Sequence, residues 1–416
     1  MPGEGKGYEH NKGSYSIKAG WIIDGTGAPA LRDVPLEIEK GKIVSVGKTE
    51  SLPPGGADIK DYSRCTILPA LVDCHVHLAM SGTEDPGFRQ RQLGASFEEI
   101  KPVIAENLRE HLNHGVIALR DGGDHRGHTF RFKKELINNN KISVPYINSG
   151  KAWHAKGRYG RRIGRSPAQG VSLARSVLNE SGGTDHIKII HSGLNSLTTY
   201  GLESFPQFDL EQLREAVETG NRLGLKTMVH ANGKEAVRTA IEAGCHSIEH
   251  GFFMGDENLK RMAEKDVIWV PTLVPMAAYQ RIAHLAGRPE GDMAKRNLDH
   301  QIQQVSGGMD YGVTIAAGTD AGCPGVFHGR AVGEEIGLLM SAGLSLEKAV
   351  QCATSHGAKL LDMEDTSGRI IPGMPASFIV VPGGPDSFTV SIFSPRAVYV
   401  EGVPISRDTS LDIYTV

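Results

Sequence analysis

Two histidines one residue apart, His75 and His77, stand at the end of a largely apolar run that begins at Thr66. Side chains alternate faces along a strand, so 75 and 77 point one way while Cys74 and Val76 point the other. Neutral imidazole is a common ligand of zinc and related cations, and two converging rings begin a metal site. Four more donor groups follow at wide spacing: Lys188, His230, His250 and Asp320, the last in Ala317-Gly318-Thr319-Asp320. Nitrogen and oxygen donors of this kind suit zinc, manganese or a similar divalent ion. Lys188 interrupts the apolar stretch His186-Ile187-Lys188-Ile189-Ile190. An ammonium aimed into a cluster of cations would be repelled, and burying it costs desolvation energy. Reaction with carbon dioxide would turn that amine into a carbamate, an anionic bidentate donor able to bridge two metals.

Donors this far apart in sequence need a scaffold that gathers them. Eight short apolar runs alternate with stretches of helical periodicity: Cys65 to Val72, Val116 to Arg120, Val144 to Asn148, His186 to Ile190, Lys226 to Val229, Ser247 to Glu249, Val267 to Val270 and Thr314 to Ala317. Helices are expected between them, for example over Phe97 to Asn113, Leu210 to Leu223 and Lys234 to Ala243. Repeated βα units over this length predict an α/β fold, a (β/α)8 TIM barrel. Such a barrel keeps its chemistry at the carboxyl ends of its strands. The donors obey that rule: His75 and His77 follow strand one, Lys188 lies in strand four, His230 and His250 end strands five and six, and Asp320 follows strand eight.

Both chain ends read differently. Alternating apolar positions punctuated by Asp-Gly and Lys-Gly from about Ser14 to Arg64, and again around Gly368 to Val381 and Val398 to Val403, suggest hairpins. The two ends are expected to complete one small β-sandwich. The division is therefore 1–66 for the first part of the sandwich, 67–366 for the barrel and 367–416 for the remainder.

The 416 residues carry a formal net charge of -3, from 45 Lys+Arg against 48 Asp+Glu, which gives no reason to expect a nucleic-acid partner. A small-molecule substrate is the expectation. No run of about 18 apolar residues occurs, so no ordinary membrane span is expected, and the polar start of the chain lacks the pattern of a secretory signal. Five cysteines, Cys65, Cys74, Cys245, Cys323 and Cys352, lie far apart without a Cys-x-x-Cys pair. They read as buried thiols in a reducing, cytoplasmic setting.

Six segments carry a resemblance: Ile67 to Leu78, Asp185 to Gly193, Val229 to Gly233, Ala243 to Gly251, Val270 to Leu273 and Ala317 to Gly322. Together they resemble the amidohydrolase superfamily, in the binuclear subtype with a carboxylated lysine and its prolidase-like, imidazolonepropionase-like branch. The resemblance implies a first metal held by His75, His77, Lys188 and Asp320 and a second by Lys188, His230 and His250, zinc being the favoured ion. A bridging water or hydroxide would attack a carbonyl, with Asp320 taking its proton and passing it to the leaving nitrogen. His154 matches a family histidine that polarises the substrate carbonyl, although its Ala152-Trp153-His154 replaces the usual Gly-Gly-His. Ser192-Gly193-Leu194 and Ala376-Ser377 also depart from the family pattern, which puts the substrate loop and local strand anchoring in doubt.

The implied reaction is cleavage of an amide C-N bond, in a dipeptide or N-acyl amino acid. Cyclic amides and lactones or esters are the alternatives, because the same nucleophile serves them all. A mononuclear deaminase would want a glutamate about three residues after His230, where Gly233 stands, and a non-catalytic scaffold should lack ligands that are present here. Arg158, Arg161, Arg162 and Arg165 crowd the loop after His154. One of them could grip a substrate carboxylate, but solvated loop charge or a subunit contact fits four arginines better. His125 and His128 read as helix-start and loop residues, and a homo-oligomer is compatible with the resemblance.

Overall fold

The computed structural model describes residues 13–47, 58–138, 145–388, 392 and 394–405. Residues 1–12, on which most of the expectation about a leader rests, and Val144, the start of the third expected strand, lie outside the described residues. In chain order the first strands are β1 (Tyr15–Ile22), β2 (Leu31–Glu39), β3 (Lys42–Val46) and β4 (Asp58–Pro69). Then come β5 (Leu71–Val76), β6 (Val116–Asp121), β7 (Tyr146–Asn148), β8 (Ala152–Trp153), β9 (Gly164–Arg165), β10 (His186–Ile190), β11 (Lys226–Ala231), β12 (Ser247–His250) and β13 (Ile268–Val270). The last are β14 (Phe378–Pro382), β15 (Ala397–Val400) and β16 (Val403–Ile405).

Both chain ends meet in one seven-stranded sheet, ordered β16-β15-β14-β4-β1-β2-β3. Its alternating sequences bury one face, and Ile17, Leu36, Ile38, Ile67, Phe378 and Val380 belong to a separate apolar cluster. The remaining strands pair in parallel in two sheets, β5-β6-β7 and β13-β12-β11-β10-β8-β9. Backbone bonds cross the gaps between those sheets. Asp185 N, just before β10, donates to Asn148 O in β7 at 2.9 Å. At the other side, Trp269 N donates to Thr314 O at 2.9 Å, and Cys74 N donates to Ala317 O at 2.9 Å.

The expected first strand, Cys65 to Val72, is divided between two sheets. Residues through Pro69 pair antiparallel with β14, whereas Leu71 onward pairs in parallel with β6. Pro69 has no N–H to continue a ladder, and the chain changes partners at Ala70, whose N–H goes to Ser377 O at 3.1 Å. Thr314 to Ala317 makes the backbone bonds above and one parallel bridge, Trp269 to Ile315, without forming a regular strand. The helices form close to expectation, over Phe97–Asn113, Leu210–Arg222 and Lys234–Glu242. Ser96 with Glu99, and Asp209 with Gln212, start two of them as capping boxes. No described helix is long and apolar enough to cross a membrane.

Candidate metal centre

Strands β5, β10, β11 and β12 deliver donors to the same region because register aligns their ends. His230 in β11 lies opposite Ile190 at the end of β10, and His250 lies opposite Ala231 at the end of β11. The backbone carbonyl of His75 accepts from Asp320 N at 2.7 Å, which ties the last donor to the first. His250, Thr272 and Asp320, at three successive strand exits, have φ of 68, 48 and 55°. Left-handed backbone is costly for residues other than glycine and persists only where its surroundings hold it.

The six expected donors come together. His75 and His77 have ring centroids 5.6 Å apart, His75 and His250 5.0 Å, and His230 and His250 4.6 Å. Lys188 Nζ lies 3.5 Å from His75 Nε2 and is buried. Asp320 Oδ1 faces His77 Nε2 at 3.3 Å and His75 Nε2 at 3.6 Å. Ligand atoms of His75, His250 and Asp320 all fall within 4.8 Å of one another.

One nitrogen of each histidine is engaged from behind, which orients the other. His75 Nδ1 bonds Glu249 Oε2 at 2.8 Å, and His77 Nδ1 donates to Gly123 O at 2.9 Å. His230 Nε2 donates to Gly193 O at 3.1 Å, and His250 Nδ1 meets Thr272 Oγ1 at 2.6 Å. Such partners fix the tautomer and aim the free lone pair, as around metal-binding histidines. Burial, reinforced for His75 and His230 by neighbouring Lys188, holds three of these rings neutral: His75 and His250 are driven well below the ordinary imidazole range, and His230 is pushed down to about 3. The same burial lowers Lys188 to about 8 and raises Asp320 above the usual carboxylate range.

Asp320 Oδ1 is buried and has no hydrogen-bond partner among the described residues. It stands 3.6 Å from His75 Nε2 and 3.3 Å from His77 Nε2 without a hydrogen bond to either, so a buried carboxylate oxygen and two ring nitrogens converge on one point. A cation there would partner all three, and imidazole with carboxylate is a donor set suited to zinc.

Glu249 and Arg120 were not singled out from sequence for this role. Glu249 Oε1 accepts from Arg120 Nη2 at 2.8 Å, and Arg120 Nε donates to Cys74 O at 2.7 Å. Both side chains are buried beneath His75. The available signal was alternation: Ser247 and Glu249 share one face of β12, and a charged residue there opposes the apolar pattern. Two glycines mark close approach. A Cβ on Gly318 would stand 2.4 Å from Val270 Cγ1 and 2.9 Å from His75 Cβ, and one on Gly122 would stand 2.8 Å from His77 Cε1.

Other expected residues lie elsewhere or serve the scaffold. His154 is buried, with Nδ1 donating to Ala155 O at 2.9 Å, and its side chain lies beneath Gly160; none of its described contacts reaches the six donors. Instead Tyr159, on the same loop, packs against His230 with centroids 5.5 Å apart. Arg158 donates to Phe205 O, Arg165 covers Trp153 and pairs with Glu180, and Arg161 and Arg162 are exposed. His128 begins a helix and bonds Ala95 O, and Phe252 and Met254 are core residues. Tyr200 packs against Phe253 and His300. Four cysteines are buried thiols as expected; Cys323 is partly exposed and donates to Asp320 Oδ2 at 3.2 Å.

Known proteins are similar to this chain. The chain is 28% identical over 347 residues to an ochratoxinase of Aspergillus niger, spanning 73% of this chain and 68% of the relative. It is 25% identical over 374 residues to an imidazolonepropionase of Salinispora tropica, spanning 84% and 86%. The crystal structure of a Xaa-Pro dipeptidase with bound methionine in its active site superposes with a TM-score of 0.77 at 24% identity, covering 94% of this chain and 100% of that one. That likeness identifies the fold. With the amidohydrolase family model matching residues 66–405, the parallel strands, the terminal sheet and the histidine cluster find one explanation: the chain belongs to the amidohydrolase family, as a hydrolase.

Proposed function

We propose that this protein is a binuclear metal-dependent amidohydrolase that cleaves the amide bond of a dipeptide or N-acyl amino acid. The observation that carries the reading is the buried, unpartnered Asp320 Oδ1 facing His75 Nε2 and His77 Nε2. In this reading the two parallel sheets and Thr314 to Ala317 close into a (β/α)8 barrel over residues 67–366, supported by the backbone bonds across both gaps. In the same reading the division at 1–66 and 367–416 sets off an accessory β unit, supported by the sheet that the described strands β1–β4 and β14–β16 form.

His75, His77, Asp320 and a carbamate on Lys188 would hold one divalent ion, and the carbamate, His230 and His250 the other. Two such ions, zinc being favoured, supply a nucleophilic water at neutral pH and polarise the scissile carbonyl. Lys188 must react with carbon dioxide as the free amine, and a lysine lowered to about 8 offers that form near neutrality. Glu249 accepts a hydrogen bond from His75 Nδ1–H, which keeps Nε2 available, while Arg120 balances the glutamate's charge. Asp320 takes the proton of the attacking water and passes it to the leaving nitrogen, whose protonation lets the C-N bond break. Tyr159 walls the site beside His230, and His154 is retained as the candidate for orienting the substrate carbonyl.

Five unpaired cysteines suit a reducing cytoplasm. The test is metal analysis followed by assay against a library of dipeptides and N-acyl amino acids. About two ions per chain and hydrolysis of one substrate class are expected. A fully metallated protein that hydrolyses no carbonyl substrate would overturn the proposal.

A further inference from the structure

The two oxygens of Asp320 have different surroundings. Oδ1 is buried without a hydrogen-bond partner and faces His75 and His77, whereas Oδ2 accepts from the Cys323 thiol at 3.2 Å. The same turn is closed through the backbone, Cys323 N donating to Asp320 O at 3.1 Å. Gly322 lies between them with φ of 99°, and a Cβ there would come within 2.6 Å of His77 O. Arg89 Nη1 grips Gly322 O at 2.8 Å, and Val326 N donates to Cys323 O at 3.0 Å. The backbone of this turn is thus pinned by several bonds, and His77 N donates to Ala321 O at 2.8 Å, which ties it to the segment just after β5. Rotation about the Asp320 side chain has a different restraint: among the described hydrogen bonds, only the thiol restrains the carboxylate.

We propose that Cys323 is a positioning residue that holds Asp320 Oδ2, so that Oδ1 is presented to the metal beside His75 and His77. The inference rests on the metal-centre reading and adds a determinant outside its donor set. Four of the five cysteines are buried, so packing explains them; Cys323 is the partly exposed one and the one whose sulfur bonds a proposed ligand. A hydrogen bond from behind a ligand orients it and raises the affinity of the site, and losing such a partner commonly costs about 10-fold or more in metal binding.

The experiment compares wild type, Cys323→Ala and Cys323→Ser after metal removal and reloading with cobalt(II), read by its visible ligand-field spectrum and by competition with a chelator. Alanine should weaken cobalt binding about 10-fold and change the spectrum, and serine, which keeps an O–H donor, should restore both. Thermal unfolding of the metal-free proteins should be the same for all three, which separates aiming of the carboxylate from general packing. Wild-type affinity and spectrum in the alanine variant would overturn the role of Cys323 while leaving the metal centre standing. A serine variant no better than alanine would also overturn it. Failure of the wild type to take up cobalt would condemn the metal-centre reading, and this inference with it.

Discussion

In β2 of the terminal sheet, buried Val34, Leu36 and Ile38 alternate with more exposed neighbours, whereas every residue of β5 and of β10 is buried. Charge is treated accordingly. Lys60 of the terminal sheet rests its ammonium over the rings of Tyr15 and Tyr399, 4.2 and 5.0 Å from their centroids, with water at hand. Lys188, Arg120 and Glu249 of the parallel strands are sealed in, and each needs a partner inside the protein. A strand covered on both faces has no apolar reason to carry such residues, because their desolvation costs far more than a methyl group returns. Their presence sets these strands apart from the terminal sheet, where the same residue type stays partly exposed.

Substitutions that break this contrast should be felt most at the mouth of the parallel strands. Asp320→Asn should lower kcat by about a thousandfold while much of the metal stays bound. Turnover measured beside metal content checks this, and full activity would remove the proton-transfer role. Next, Lys188→Ala should weaken metal retention by about 10- to 100-fold. Small added carboxylic acids should recover part of it if a carbamate bridge is what was lost; undiminished metal in the variant would exclude bridging.

One layer down, Glu249→Gln leaves Arg120 buried without its counter-charge and should cost on the order of 3 kcal/mol in chemical denaturation. A cost near zero would mean that the buried pair is better solvated than its surroundings imply. The smallest effect is expected from Lys60→Ala in the terminal sheet, below about 1 kcal/mol and without change in metal content. A loss of several kcal/mol there would collapse the distinction between the two regions.

Much of the scaffold is legible in the chain. The helix over Phe97–Asn113 and the strand His186–Ile190 fall where the apolar pattern puts them, because a long amphipathic period and a bounded apolar run are local signals. Pro69 conceals the change from one sheet to another, since apolar residues continue on either side and only partner strands distinguish β4 from β5. Residues Thr314 to Ala317 read as a strand, but their bonds to both neighbours come in too irregular a pattern to make one. In the site, the histidines, Lys188 and Asp320 announced themselves by residue type and by strand-end position. Glu249 stood in the same segment as His250 without a role, because its function depends on His75 and Arg120, which lie 174 and 129 residues away in the chain. His154 stands on the loop where the sequence puts it, and only the structure shows that its Nδ1 is held by the adjacent carbonyl.

The sequence by itself determined which side chains have donor chemistry suited to a cation and which of them share a strand face, since both follow from side-chain chemistry and a period of two. Tertiary structure alone decided which nitrogen of each ring is free, which oxygen of Asp320 lacks a partner and which thiol reaches the other. Those choices are made by hydrogen bonds between residues remote in the chain, such as His75 with Glu249 and His77 with Gly123, and a linear pattern does not encode distance across a fold.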